Sequence, residues 1–350
     1  METCLITPDG PRYGVGPADI QPLLDSSGHF WLDICGPPDD GATGLLRDTF
    51  GFHPLAVEDA EEFGQRPKLD AYDDFVSMIV YGATGGKLVE MHLFYAANYV
   101  VSVHRDPCPE LAALAEQLHR RGGNWHPIMA LYRVVDMLAD GYFPALAQLD
   151  DRIDELEDEI LEHPTDAQLG QLFDMKRSLI AMRKVVTPER DMLANLLTES
   201  DALPGMTQET ERYFRDLYDH FIRISDLVDS YRDLVSGVVD THLSVVSNRL
   251  NVVMKQLTII ATIFLPLSFL TGFFGQNFGW MVNHITSARE FVLLGLLFPV
   301  IVVVALMVAF KRAGWLSGSG TMPSDDRRSR PSGDRWNILR IGPLSHREGP

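Results

Sequence analysis

Cysteine is nearly absent from this 350-residue chain, which holds three. Cys4, Cys35 and Cys108 stand alone and far apart, which excludes a disulfide framework and a zinc knuckle. Positive charge is scarce too. Thirty Lys and Arg stand against 48 Asp and Glu, a formal net charge of −18. Nucleic acid is a poor partner for such a chain, whereas cations are suitable ones. No glycine-rich phosphate loop occurs, so no hydrolysis motif supports an energy-coupled or organic-cofactor chemistry. The eleven histidines are scattered without paired ligand spacing. No nucleophile–base pair can be argued from spacing, which makes a soluble enzyme the least favoured class. The first ten residues, METCLITPDG, have no basic stretch ahead of an apolar one. No signal peptide is expected, and the N-terminal part is expected in the cytoplasm.

Charge is also missing from two long stretches near the C-terminal end. Residues 291–310 have none over 20 positions, enough at ~1.5 Å per residue to cross a hydrocarbon core ~30 Å thick. Residues 257–274 are likewise uncharged, with Pro266 inside. Two such helices in succession point to membrane spans in contact with lipid. Lys255 precedes the first, Lys311 and Arg312 follow the second, and the loop between holds only Arg289, Glu290 and His284. The positive-inside rule then places both termini in the cytoplasm and the loop outside, in the plasma or inner membrane.

Residues 1–125 read as an α+β cytoplasmic domain. Residues 30–34, 75–81, 88–95 and 99–104 are short, β-branched and aromatic, as strands are. Residues 45–60 and 110–120 have helical spacing. His53-Pro54-Leu55-Ala56-Val57-Glu58-Asp59 and Gln65-Arg66-Pro67-Lys68 form a polar turn region suited to a metal, a partner or plain solvent. From residue 126 strand signals stop. Residues 127–162 read as one long helix, broken at His163-Pro164, and 166–198 as a second returning antiparallel; 126–205 is the expected hairpin. The first is crowded with acids, Asp150, Asp151, Asp154, Glu155, Glu157, Asp158, Glu159 and Glu162, which read as a solvated face or as a surface that attracts cations. After Leu203-Pro204-Gly205, the residues Phe214, Leu217, Phe221, Ile224, Val228, Tyr231, Val235 and Val238 recur in steps of three and four. That stripe marks a helix packed lengthwise on others. Continued without a break from residue 208 to 274 it would be ~100 Å long. The expected organisation is a stalk over 206–256, a first span over 257–275, an outer loop over 276–290, a second span over 291–311 and a disordered cytoplasmic tail over 312–350.

Small and polar residues line one side of the first span. Asn251, Met254, Leu257 (or Thr258), Ala261, Leu265, Ser268, Gly272 and Gly275 repeat at helical spacing, as a pore lining or a helix-packing surface would. One helix cannot enclose a pore, so conduction implies a homo-oligomer. An amide is costly against lipid, which turns Gln276 and Asn277 toward an axis or a loop contact.

Ile263-Phe264-Leu265-Pro266-Leu267-Ser268-Phe269-Leu270-Thr271-Gly272, running on to Gly275-Gln276-Asn277-Phe278, resembles the first span of the CorA-type divalent metal ion transporters. The resemblance extends through Tyr213-Phe214-Arg215-Asp216, Arg232-Asp233-Leu234-Val235-Ser236-Gly237, His53-Pro54-Leu55 and Gln65-Arg66-Pro67-Lys68. It implies a funnel-shaped homopentamer in which long helices line the pore. It further implies transport of Mg2+, with Co2+ or Ni2+ as further cargo, and regulatory Mg2+ held between subunits by Asp59, with Glu58 beside it, and Asp216. Gly275, Gln276 and Asn277 would be the selectivity filter. Two departures touch the ion's entrance. Gln276 stands where the family has Met, and Met281-Val282-Asn283-His284 stands where Met-Pro-Glu-Leu is usual. A Zn2+ transporter of the same fold is the alternative, and a non-conducting membrane-anchored sensor or scaffold is the second.

Overall fold

The computed structural model describes residues 2–36, 40–120, 125–198, 203–276, 279–284 and 287–315. The chain divides into two units, residues 1–246 and 247–350.

The first unit is built on a seven-stranded sheet. In chain order come β1 (Glu2–Thr7), β2 (Gly10–Tyr13), α1 (Pro17–Asp25), β3 (Phe30–Cys35), α2 (Asp40–Gly44), α3 (Pro54–Glu61), β4 (Lys68–Ala71), β5 (Val76–Thr84), β6 (Lys87–Ala96), β7 (Tyr99–His104) and α4 (Pro109–Arg120). The strand order is β2-β1-β3-β7-β6-β5-β4. Only β3 and β7 run parallel, with Phe30 opposite Tyr99 and Cys35 opposite His104. Period-2 alternation feeds two cores. Trp31, Met78, Val80, Leu93 and Val100 face one layer, while Phe30, Leu32, Ile34, Phe94 and Val101 face α1–α3 with Phe52 and Val57.

The stretch 45–60, expected as one helix, is interrupted. A wide turn over Leu45–Thr49 leads to Gly51 at φ +67° and then to Pro54 at the start of α3. A positive φ suits glycine, and proline fits a helix's first turn.

Four helices complete this unit: α5 (Pro127–Asp140), α6 (Tyr142–Glu162), α7 (Asp166–Thr198) and α8 (Gln208–Phe274, 67 residues), which continues into the second unit. The expected single helix over 127–162 is two helices meeting at Gly141. A Cβ there would lie 2.0 Å from the Ala83 carbonyl oxygen, so only glycine lets the helices press this closely on β5. On α6 the acids Asp151, Asp154, Glu155, Glu157, Asp158 and Glu159 are exposed while Ile153, Leu156 and Ile160 are buried. Phe214, Leu217, Phe221, Ile224, Val228, Val235 and Val238 of α8 are all buried in the core. The three-and-four stripe is what α8 packs with.

The second unit contains the rest of α8, α9 (Gly279–His284) and α10 (Ala288–Arg312, 25 residues). Both α8 and α10 carry a stretch long and apolar enough to cross a membrane, and none of it is buried within the chain. Ser287 and Glu290 cap α10 reciprocally: Ser287 Oγ accepts from Glu290 N–H at 3.3 Å and Glu290 Oε2 from Ser287 N–H at 3.2 Å. The tail from residue 316 lies outside the described residues.

Candidate functional site

Two groups of metal-capable side chains lie in the first unit. The first sits on α3 and β4. His53 caps α3, its Nδ1 accepting from Leu55 N–H at 3.3 Å, and Glu58 and Asp59 follow on the same helix. Glu58, Asp59, Lys68 and Asp70 line a cleft of about 440 Å³. Asp59 accepts from Lys68 Nζ at 2.6 Å, and Asp70 Oδ2 lies 3.1 Å from the same ammonium. Lys68 therefore occupies the charge that Asp59 would offer an ion, and its own pKa rises, chiefly through Asp59.

The second group joins α5 to α8. Asp136, Asp140 and His220 place one ligand atom each within 4.8 Å of one another. His220 Nδ1 lies 3.5 Å from Asp136 Oδ1, and His220 Nε2 lies 3.9 Å from Asp216 Oδ2. Neither Asp136 Oδ1 nor His220 Nδ1 makes an aligned hydrogen bond, although both are buried. These two atoms face each other as an ion pair and have no other bond among the described residues, so both remain open to a further ligand. Asp136 chiefly raises the His220 pKa above its ordinary value. Burial, then the charge of Asp136, raises that of the Asp140 carboxyl. Two carboxylates and an imidazole, with a third carboxylate adjacent, suit a divalent cation.

Of the expected regulatory ligands, Asp216 thus joins a cluster, while Asp59 and Glu58 lie in a separate cleft. No hydrogen bond or ion pair links Asp59 to Asp216 among the described residues. Nor does Asp216 pair with the arginine beside it, since Arg215 bonds Glu211 at 2.6 Å. Asp136, Asp140 and His220 were missed from sequence. The signal was there: Asp136 and Asp140 stand at i, i+4 on α5, Asp216 and His220 at i, i+4 on α8, and each pair shares one helix face.

In the second unit, Asn251, Met254, Leu257, Ala261, Leu265, Ser268 and Gly272 are all exposed on α8, Leu265 at 77 %. The span's three threonine hydroxyls bond to the helix's own carbonyls. Thr258 Oγ1 donates to Met254 O at 2.8 Å, Thr262 Oγ1 to Thr258 O at 2.7 Å and Thr271 Oγ1 to Leu267 O at 2.9 Å. A helix in lipid needs that economy. At the helix end Gly275 N–H donates to Thr271 O at 2.9 Å, and Gln276 N–H to Phe273 O at 3.3 Å. A Cβ on Gly275 would crowd Thr271 O at 2.9 Å. Asn277 lies outside the described residues. In α9, His284 stacks on Trp280 with ring centroids 4.6 Å apart, and its Nδ1 bonds Trp280 O at 2.9 Å.

Comparison with known proteins agrees with this layout. The model of the family described as CorA-like Mg2+ transporter protein matches residues 26–312. The cobalt/magnesium transport protein CorA of Thermotoga maritima is 35% identical over 306 residues, covering 85% of this chain and 86% of its own. The zinc transport protein ZntB of Klebsiella pneumoniae is 27% identical over 278 residues, covering 76% and 82%. The solved structure of the CorA magnesium transporter from Methanocaldococcus jannaschii superposes with a TM-score of 0.75 at 21% identity, over 90% of this chain and 98% of that one. A family match over most of the chain, joined to an α/β unit, a 67-residue helix and two apolar stretches, leads to one conclusion: the chain is a member of the CorA family of divalent cation transporters and a membrane protein.

Proposed function

We propose that the protein carries Mg2+ into the cell, down its electrochemical gradient, through a pore at the axis of a homopentamer. The observation that carries this reading is the face of α8 from Asn251 to Gly272, small or polar in part and wholly uncovered in the single chain. Five copies around an axis give that face an interior. In this reading 206–256 is the stalk, 257–275 the pore-lining span, 276–290 the outer loop and 291–311 the second span. Lys255, Lys311 and Arg312 hold both termini in the cytoplasm.

Gly275, Gln276 and Asn277 close the outer end. Mg2+ sheds water reluctantly, so a ring of Asn277 carboxamides would hydrogen-bond the hydrated ion instead of stripping it. Gln276 adds a second amide where the family has Met. Leu257, Ala261 and Leu265 form an apolar constriction that gates by dewetting, with Asn251 at its inner end. A divalent ion entering a negative interior gains about 4.6 kcal/mol per 100 mV, twice the single-charge value.

Intracellular Mg2+ closes the pore by bridging subunits. Asp59, once the ion displaces Lys68, with Glu58 of one subunit and Asp216 of the next are the ligands, and Asp136, Asp140 and His220 extend the Asp216 side. Without the ion, like charges face each other and the ring loosens.

Zn2+ is the second reading, favoured by the imidazole of His220 in the cluster and by the similarity to ZntB. Uptake of Mg2+, Co2+, Ni2+ and Zn2+ by purified protein in sealed vesicles, with and without a proton gradient, decides between them. Fast Mg2+ uptake independent of the proton gradient is the expected result. Zn2+ uptake without Mg2+ uptake would overturn the Mg2+ assignment, and no flux of any metal would leave a sensor or scaffold.

A further inference from the structure

The segment Gln65-Arg66-Pro67-Lys68 has no part in the pore, yet the fold takes care to fix it. Glu90 accepts from Gly64 N–H at 2.5 Å and from Gln65 N–H at 3.1 Å, and Tyr81 donates its hydroxyl to Gln65 O at 2.5 Å. Pro67 is buried. These anchors set Arg66 on the rim of a groove of about 840 Å³ between the start of β4, one face of α7 and Arg232 of α8. Its size is within the range of small-molecule sites, ~300–1,000 Å³.

The charge of the groove opposes that of the chain. In a protein of formal net charge −18, its lining has the cations Arg66, Lys68, Arg183, Lys184 and Arg232 and the single carboxylate Asp191. Three of those cations are already committed. Lys68 pairs with Asp59 and Asp70. Arg183 and Arg232 share Asp229 at 3.0 and 3.2 Å. Asp191 is held by Arg190 at 2.7 Å. Arg66 and Lys184 have no ion pair or hydrogen bond among the described residues, and both are exposed to the groove's solvent. The wall beneath them is apolar: Leu69, Ile180 and Met192. Ile180 and Met192 stand on α7 with Lys184, four residues before it and eight after it, and all three line the groove.

We propose that this groove binds a nucleoside polyphosphate, with Arg66 and Lys184 on the phosphates and the base against Leu69, Ile180 and Met192. Arginine offers a planar fork that matches phosphate oxygens, lysine a point charge beside it, and an apolar wall accepts a heterocycle's face. A phospholipid headgroup offers the same phosphate chemistry from another source. The inference does not rest on the transport reading, because its test reads binding and not flux.

The test is calorimetric titration of ATP, and separately of inorganic triphosphate, into the full chain in zwitterionic nanodiscs. EDTA is present so that the carboxylate sites are empty of metal. ATP is expected to bind saturably and more tightly than triphosphate, and R66Q/K184Q to weaken it by roughly tenfold or more. R66K/K184R is expected to bind between the two. Loss of ATP binding when an anionic phospholipid is added to the nanodisc would keep the phosphate site and assign its occupant to the headgroup. No saturable binding of ATP or triphosphate at millimolar concentration would overturn the proposal, as would binding unchanged in R66Q/K184Q.

Discussion

His220 on α8 lies 3.5 Å from Asp136 on α5, nitrogen to oxygen, with both atoms buried and neither in an aligned hydrogen bond. The contact ties α8 to the helix that packs on the sheet. Protonated, the imidazole is a cation that Asp136 attracts; neutral, it would serve the proposed site as a metal ligand.

The His220 pKa is raised in the fold, chiefly by Asp136. The stability it contributes is therefore fully present below the unfolded value, ~6.5, and is lost as pH rises through the higher folded value. In EDTA, the melting-temperature advantage of wild type over His220→Asn should be larger near pH 5.5 than near pH 8.5. Divalent metal should show the opposite trend, binding more tightly as pH rises and the proton leaves. An advantage that grows with pH in EDTA would contradict the ion-pair assignment.

Asp136, Asp140 and Asp216 should act together in metal binding. At a metal concentration a hundredfold above Kd, a site present only in the folded state adds about 2.7 kcal/mol. Asp216→Asn and Asp136→Asn should each remove most of the Mg2+- or Co2+-induced rise in melting temperature, and the double variant should lose little more than either single one. Full additivity of the two losses would place these residues in separate sites.

Glu189 on α7 is fully buried, and its Oε1 accepts from the Tyr81 N–H of β5. Its Oε2 and the Tyr142 hydroxyl are buried without aligned partners. Burial holds the carboxyl well above its ordinary range, so the fold prefers the protonated acid. Stability linked to it is present at low pH and falls as pH rises from ~4.3 through the folded value. Glu189→Gln keeps the shape of the neutral acid, so it should flatten that alkaline decline and gain on the order of 1 kcal/mol near pH 8 in denaturant unfolding. A variant less stable than wild type at pH 8, with the decline unchanged, would show that Glu189 is ionised in the fold.

Parts of this architecture were legible in the residues, and parts were not, for physical reasons. The α8 stripe was legible because each of Phe214, Leu217, Phe221, Ile224 and Val228 buries one side of one helix. The apolar helices were legible because their length and lack of charge need no tertiary context. Edge strand β4, Lys-Leu-Asp-Ala, was missed because two of its four residues are charged and it pairs on one side only. The helix break at Gly141 was missed because the contact that demands glycine there is with the Ala83 carbonyl, 58 residues away in sequence. Asp136 and His220 are 84 residues apart, and their meeting follows from helix packing that no local pattern encodes.

The central claim is that carboxamides at the outer end of α8 admit a hydrated divalent ion. Its most direct test is Mg2+ uptake into sealed vesicles holding purified protein, with an inside-negative potential, comparing wild type with Asn277→Ala. Saturable, potential-driven uptake by wild type and a loss of at least tenfold in an equally folded Asn277→Ala is the result expected. Equal Mg2+ uptake by the two proteins would contradict it.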